Sequence, residues 1–395
     1  MLQYGRQNIT EEDIARVAKV LRSDLITTGP VAAEFESAFA EYIGVKHAVA
    51  VCNATAALHL ALLVAGIGPG DRVVTSPNTF LASANCAAFV GATPDFADID
   101  PVTYNLCPES LAEHWQSDTT AVIPVHYAGG PADLEQISQI ARRHGAIVIE
   151  DACHGIGGSI EQHGEMKKIG SRDWADMTTF SFHPVKTLTT GEGGMLVTNN
   201  SEYAHQARLL RTHGMVRDPQ SMLGLGSPDF DERGVWYYEM QHLGYNFRIT
   251  DFQCALGLSQ LSRLDEVILR RREIVAAYNS AFADCPLLTT PRLRNERERE
   301  FTSWHLYTLL VDFAQLELTR SDVMDRLAKR GVGTHVLYIP VYLQPWYRTT
   351  YGYSAGKCPR AERYYQRALC LPLYPSMTDA DVQLVIDSIR EIVDR

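Results

Sequence analysis

Residues 181–194 read Ser181-Phe-His-Pro-Val-Lys186-Thr-Leu-Thr-Thr-Gly191-Glu-Gly-Gly194, and the segments on either side decide the fold. Upstream, Met177-Thr-Thr-Phe-Ser-Phe182 is strand-like; past the glycine turn, so is Gly194-Met-Leu-Val-Thr198. A lysine between two buried strands stands where long cationic side chains seldom sit. Earlier in the chain, Ala146-Ile-Val-Ile-Glu-Asp151 is another apolar strand that ends in acids and runs into Ala152, Cys153 and His154. An acid at one strand end and a lysine at another suit pyridoxal phosphate. Its aldehyde takes a lysine amine as a Schiff base, and its ring nitrogen takes a carboxylate.

Outward from this stretch, strand-like and helical segments alternate. His47–Cys52 precedes a helix from about Thr55, and Arg72–Ser76 precedes one from about Phe80. Thr119–Val125 precedes a helix after Pro131. Strands rich in valine and isoleucine, spaced by helices, predict a mostly parallel sheet covered on both faces. Thr10 is placed to cap a first helix, with acids in its first turn and Ile14, Val17 and Leu21 on one face. The pattern changes near Gly244. Helical stretches at 250–263 and 265–284 follow, then a strand Trp304–Asp312 and a helix Thr319–Arg330. A strand Val332–Tyr338 and a closing amphipathic helix Thr378–Val393 complete the reading. We therefore expect an α/β domain over 1–245 and a smaller α+β domain over 246–395, with Asp218–Gly234, rich in Gly, Pro and Asp, as an exposed excursion.

Composition narrows the partners. The 395 residues allow two domains and a large core. A net charge of −11 with 46% apolar residues, and no basic stripe, argues against a nucleic-acid partner. No apolar run reaches membrane-spanning length, and the first residues lack the regions of a secretory signal. The eight cysteines form no Cys-x-x-Cys pair, which fits a reduced cytoplasmic setting and no disulfide framework. The thirteen histidines lack the spacing of a helical metal pair, so no metal is expected.

Around Lys186 and Asp151 a set of candidate contacts can be assembled. Asn53-Ala54-Thr55 lies where a strand ends and a helix begins, which suits a phosphate and equally suits a simple helix cap. Ser181 can add a hydroxyl to the same phosphate. Phe80 reads either as a stacking face for a pyridine ring or as plain core. Asp151 reads as the ring-nitrogen partner or as a helix cap, and His154 as a donor to a phenolic oxygen or as a loop cap.

Taken in order, these segments resemble the sugar aminotransferases of the DegT, DnrJ, EryC1 and StrS family, which have the fold-type I architecture of aspartate aminotransferase. The resemblance runs through Thr27-Thr-Gly-Pro30, Asn53-Ala-Thr-Ala-Ala-Leu58, Glu150-Asp-Ala-Cys-His154, Ser181-Phe-His-Pro-Val-Lys186, Gly191-Glu-Gly-Gly194 and Gly244-Tyr-Asn-Phe-Arg-Ile-Thr-Asp251. Trp236-Tyr-Tyr-Glu-Met-Gln241 and His335-Val-Leu-Tyr-Ile-Pro-Val341 look most like the branch that makes pseudaminic acid precursors. That branch moves an amine from glutamate to C4 of a UDP-linked 4-keto-6-deoxy-N-acetylhexosamine, with pyridoxamine phosphate between the two halves. The resemblance implies that Lys186 is the Schiff-base lysine, Asp151 the partner of the pyridinium nitrogen and Phe80 the stacking ring. It makes Ala54, Thr55 and Ser181 the phosphate cradle, with His154 where many relatives carry glutamine. It also implies a homodimer with shared sites, in which Asn246 reaches the phosphate of the neighbouring subunit. His183, Arg248, His305, His335 and Tyr338 are candidate substrate contacts, Arg248 for an anion or a structural ion pair. Amination at C3, or of a dTDP-linked keto sugar, is the alternative, and a non-catalytic protein of the same fold a further one.

Overall fold

Strands that bury both faces are rich in apolar residues, and His47–Val51, Ile147–Ile149 and Gly194–Val197 supply such runs. A computed structural model describes residues 1–162, 164–171, 173–224 and 235–394. The strands are β1 (His47–Val51), β2 (Arg72–Thr75), β3 (Thr93–Phe96), β4 (Thr119–Ile123) and β5 (Ile147–Asp151). After a hairpin of β6 (Ser159–Gln162) and β7 (Glu165–Lys168) come β8 (Met177–Ser181) and β9 (Gly194–Thr198). Seven of them form one sheet in the order β1-β9-β8-β5-β4-β2-β3. Only β9 runs against the rest, antiparallel to both β8 and β1. The carboxyl ends of β1, β2, β5 and β8 therefore share one edge, and the start of β9 joins them there. In open α/β sheets that edge is where ligands bind.

The helices packed on this sheet include α2 (Pro30–Ile43), α3 (Ala54–Val64), α4 (Ala82–Phe89), α5 (Pro108–Glu113), α6 (Leu134–Arg143) and α7 (Ser201–Arg211), while α1 (Glu11–Leu21) lies outside them. Asn53 caps α3 by accepting from Ala56 N–H at 2.8 Å. Phe35 and Phe39 of α2 pack with Phe180, Phe182 and Leu258 in one buried cluster. That cluster takes in α8 (Asp251–Ser262) and the start of α9 (Leu264–Phe282). A short antiparallel pair, β10 (Met215–Val216) with β11 (Glu239–Met240), precedes α8. Beyond α9, β12 (Leu288–Thr289), β13 (Tyr307–Val311) and β14 (Ala368–Leu371) make a three-stranded antiparallel sheet. The rest of α9 and the helices Arg320–Lys329 and Asp379–Val393 pack on this sheet through Tyr278, Tyr307, Leu327 and Val385.

Two expectations need correction, and one strand carries no sequence signal. Val332–Tyr338 is not a regular strand; it is held by single bridges, Leu2 to Val332 and His335 to Cys370. The predicted apolar face of α1 does not enter the core, since Ile14 and Leu21 are exposed and the helix buries Asp13 and Val20. Asp13 anchors α1 on α8 by accepting from Gln260 and from Arg263, each at 2.7 Å, so polar contacts rather than the apolar stripe fix its orientation. β3 is an element the alternation did not suggest, because its Thr-Pro-Asp-Phe sequence carries a proline and an acid. The excursion expected over 218–234 lies outside the described residues from 225 onward, and Asp218–Ser221 ahead of it are exposed.

Candidate active site

The sheet edge opens into a cavity of about 700 Å³. Its lining includes Ala54, Thr55, Phe80, Asp151, His154, Ser181, His183, Lys186, His305, His335 and Tyr338. Asn246 and Arg248 are absent from it. Asn246 is exposed and bridges Thr212, and Arg248 is half-buried on the same segment.

Lys186 sits in the loop that joins β8 to β9, and that loop is folded by its own hydroxyls. Thr189 Oγ1 donates to Phe182 O at 3.0 Å and Thr190 Oγ1 to Glu192 O at 2.7 Å. Phe182 N–H donates to Gly193 O, and Gln253 of α8 donates to Glu192 O at 2.7 Å. The Lys186 ammonium has no hydrogen bond or ion pair among the described residues. Burial lowers its pKa from the ordinary 10.5, against an opposing pull from Cys153 and Asp151.

Asp151 ends β5 and is buried. Its carboxylate accepts from Ser83 Oγ at 2.6 Å and from Cys153 N–H at 3.1 Å. Ser83, in the first turn of α4, is a site residue that sequence reading missed. A lone serine 68 positions away carries no local signal. Beneath Asp151, His126 and Glu150 form a fully buried pair at 2.5 Å, with Thr178 donating to the second Glu150 oxygen at 2.6 Å. Ala132 N–H donates to His126 Nδ1 at 3.0 Å, so the proton directed at Glu150 is on Nε2.

The same logic fixes His154. Ala128 N–H donates to its Nδ1 at 3.3 Å, so Nε2 carries hydrogen and donates to Tyr338 Oη at 3.2 Å. Burial, then Lys186 and His126, push the imidazole well below its ordinary pKa, which keeps it neutral. Burial holds the Tyr338 phenol well above its ordinary range, so it retains a hydrogen to give. His305 lies with its ring centroid 4.3 Å from that of His154, and its Nδ1 is buried without a hydrogen-bond partner among the described residues. Phe80 is 57% exposed, its ring turned out of the core and 6.4 Å from that of Tyr338.

At the other end of the cavity α3 begins. Its first N–H groups, those of Ala54 and Thr55, precede the first carbonyl acceptors of the helix ladder. Gly194 lies against this turn. A Cβ there would stand 2.6 Å from Asn53 C and 2.7 Å from Ala54 N, so glycine is what lets β9 and α3 close on each other.

A free amine, a hydrogen-bonded carboxylate, an uncovered aromatic face and a helix N-terminus thus converge in one cavity. The sequence profile of the DegT/DnrJ/EryC1/StrS aminotransferase family matches residues 7–390, and the chain belongs to that family. It is a pyridoxal-phosphate-dependent sugar aminotransferase of fold-type I. The spore coat polysaccharide biosynthesis protein SpsC of Bacillus subtilis is 43% identical over 393 residues, 99% of this chain and 97% of that one. The structure of Helicobacter pylori PseC, an aminotransferase involved in the biosynthesis of pseudoaminic acid, matches with a TM-score of 0.88 and 30% identity over 100% of this chain and 99% of that one. DesI, solved in the presence of its TDP-sugar product, matches with a TM-score of 0.84 and 30% identity over 100% of this chain and 93% of that one. The residues present fit the cofactor: unengaged N–H groups and the Ser181 hydroxyl for a phosphate, Phe80 for a ring face, and Asp151 and Lys186 for its two reactive ends.

Proposed function

We propose that the enzyme moves the amino group of glutamate to C4 of a UDP-linked 4-keto-6-deoxy-N-acetylhexosamine, as in pseudaminic acid biosynthesis. The observation that carries the catalytic half of this reading is Lys186, whose unpaired amine shares a cavity with the braced carboxylate of Asp151. The likeness to PseC supports the choice of sugar, and the likeness to DesI keeps a dTDP-linked substrate as the second reading. The chemistry that pyridoxal phosphate supplies when bound is a carbonyl carbon to carry the amine and a ring to take up carbanion charge.

The chain's own residues divide the remaining tasks. Ala54 and Thr55 N–H groups and Ser181 would hold the phosphate at a helix start, where the macrodipole favours negative charge. Asp151, braced by Ser83 and Cys153 N–H, would hold the ring nitrogen. Phe80 would cover one face of the ring. His154 Nε2–H and the Tyr338 hydroxyl are donors at the wall between. With the cofactor bound, Lys186 Nζ would take the proton from the donor's α-carbon and deliver it to the cofactor carbon that carries the amine, a task only the neutral amine performs, and burial favours that form.

Residues 1–245 make the cofactor-binding unit and 246–395 the smaller one, a division supported by the seven-stranded sheet within 47–198 and the three-stranded sheet within 288–371. The enzyme works as a homodimer. Asn246 and Arg248 stand outside this chain's own cavity, and Leu21, Leu25, Ile26, Trp236 and Met240 leave apolar surface uncovered. No described helix is long and apolar enough to cross a membrane, and all eight cysteines are unpaired, which supports a cytoplasmic setting. The test is direct. Enzyme loaded with cofactor is given glutamate and then either the UDP-linked or a dTDP-linked 4-keto sugar, and products are weighed by mass spectrometry. A 4-amino UDP-sugar is expected; turnover of the dTDP-sugar alone would transfer the reading to the second substrate.

A further inference from the structure

The segment that carries Asn246 is clamped on both sides of that residue. Tyr245 N–H donates to Leu210 O at 2.7 Å, and His213 N–H donates to Tyr245 O at 2.9 Å. Phe247 N–H donates to Arg211 O at 3.0 Å, and Cys52 N–H donates to Phe247 O at 2.8 Å. In extended backbone alternate side chains share a face. Here Tyr245 and Phe247 are half-buried and stack on each other, their ring centroids 4.8 Å apart and their planes 9° from parallel. Asn246, between them, is exposed.

Both rings rest on one histidine. His59, on α3, lies 4.9 Å from the Tyr245 ring and 5.8 Å from the Phe247 ring, centroid to centroid. Phe89 of α4 closes a third side at 5.6 Å. The imidazole meets all three at steep angles, as aromatic pairs prefer. His59 is buried, and its Nε2 has no hydrogen-bond partner among the described residues. Burial lowers its pKa, which keeps the ring neutral at pH 7. What this side chain supplies is therefore a flat wall. We infer that His59 is a positioning residue for the neighbouring subunit's active site, propping Tyr245 and Phe247 so that Asn246 is held outward toward the partner's phosphate site. The inference rests on the shared-site reading above, in which Asn246 serves the other subunit. His59 also stands on the helix whose first turn is proposed for this chain's own phosphate, and subunit mixing tells the two routes apart.

Pyridoxal phosphate is titrated into cofactor-free wild type, His59→Ala, His59→Leu, Asn246→Ala and the His59→Ala/Asn246→Ala double variant, with binding read by calorimetry. In His59→Ala we expect Kd to rise about tenfold, equivalent to about 1.4 kcal/mol. His59→Leu, which refills the wall, should return it to within about threefold of wild type. The double variant should bind no more weakly than Asn246→Ala, because the two residues act as one unit. His59→Ala is then unfolded together with Lys186→Ala and refolded as a mixture. A hybrid dimer has one site with Lys186 intact, and the Asn246 that reaches it comes from the chain whose His59 is intact. Activity at limiting cofactor should therefore climb to about a quarter of wild type, above the sum of the parents. Should His59→Ala fail to fold, Tyr245→Ala opens the same wall from its other side and is put through the same mixture. An unchanged Kd or an additive double variant would overturn the inference. So would a Lys186→Ala mixture that recovers with Asn246→Ala and not with His59→Ala, which would assign His59 to its own chain's phosphate turn. Failure of both mixtures would sink the shared site and this inference with it, leaving the aminotransferase reading intact.

Discussion

Lys186 is poised by what surrounds it. Burial lowers its pKa further than Asp151 and Cys153 raise it, and Cys153 is itself pushed well above the ordinary thiol value, so at neutral pH it is uncharged. That leaves a measurable cost in the cofactor-free protein. An unfolded lysine titrates near 10.5, and the folded one below it. Between the two values the unfolded chain holds a proton the folded chain has lost, so stability rises with pH through that window. Below the folded value the penalty is constant. Lys186→Met should therefore raise the melting temperature at pH 7 by about 1–3 °C, and the gain should narrow as pH rises from the folded value towards 10.5 and be absent above it. Calorimetry from pH 6 to 11 checks this; a gap that does not narrow would mean the amine is well hydrated. His126 offers the converse test. Its pair with Glu150 is fully buried, so His126→Ala strands a carboxylate and should cost about 3–5 kcal/mol in urea unfolding.

Among the elements, Gly194 joins β9 to α3. Gly194→Ala would force a methyl into Asn53 and Ala54, pushing the strand away from the N–H groups proposed for the phosphate. The expected result is a loss of about 2 kcal/mol of stability together with faster release of cofactor on dialysis. Destabilisation with cofactor retention unchanged would separate the packing from the proposed cradle. This junction also shows what the sequence disclosed. β5 and β9 are readable because strands covered on both faces are rich in apolar residues, and β8 because its threonines and phenylalanine favour a strand; Asp151 and Ser181 end β5 and β8, and Lys186 lies in the loop that follows. Other parts were hidden for equally physical reasons. β3 carries Pro94 and Asp95 and survives through pairing with β2 and an ion pair from Arg72 at 2.9 Å, neither of which is local. Val332–Tyr338 has the composition of a strand, yet it has only isolated bridges to pair with. Ser83 and Tyr4 enter the cavity through the path of the chain, and nothing in their neighbours announces it.

At the scale of the whole molecule, one chain supplies a cavity without two of the residues assigned to it. Asn246 and Arg248 follow the β10–β11 hairpin, on a segment pinned to α7 by Tyr245 N–H to Leu210 O at 2.7 Å and Phe247 N–H to Arg211 O at 3.0 Å. That anchoring holds Asn246 outward, away from Lys186 of the same chain. If each site combines Lys186 of one subunit with Asn246 of the other, two defective enzymes should repair each other. Lys186→Ala alone should fall below about one part in ten thousand of wild-type turnover. Asn246→Ala alone should lose cofactor readily and work poorly at limiting cofactor. Unfolded together and refolded as a mixture, half of the dimers become hybrids, each with one intact and one doubly defective site. Activity at limiting cofactor should then recover to about a quarter of wild type in a symmetric dimer. Light scattering on the same samples reports the dimer itself. Recovery of activity cannot come from either parent, so a mixture no better than the sum of its components would assign Asn246 to its own chain and dissolve the shared site.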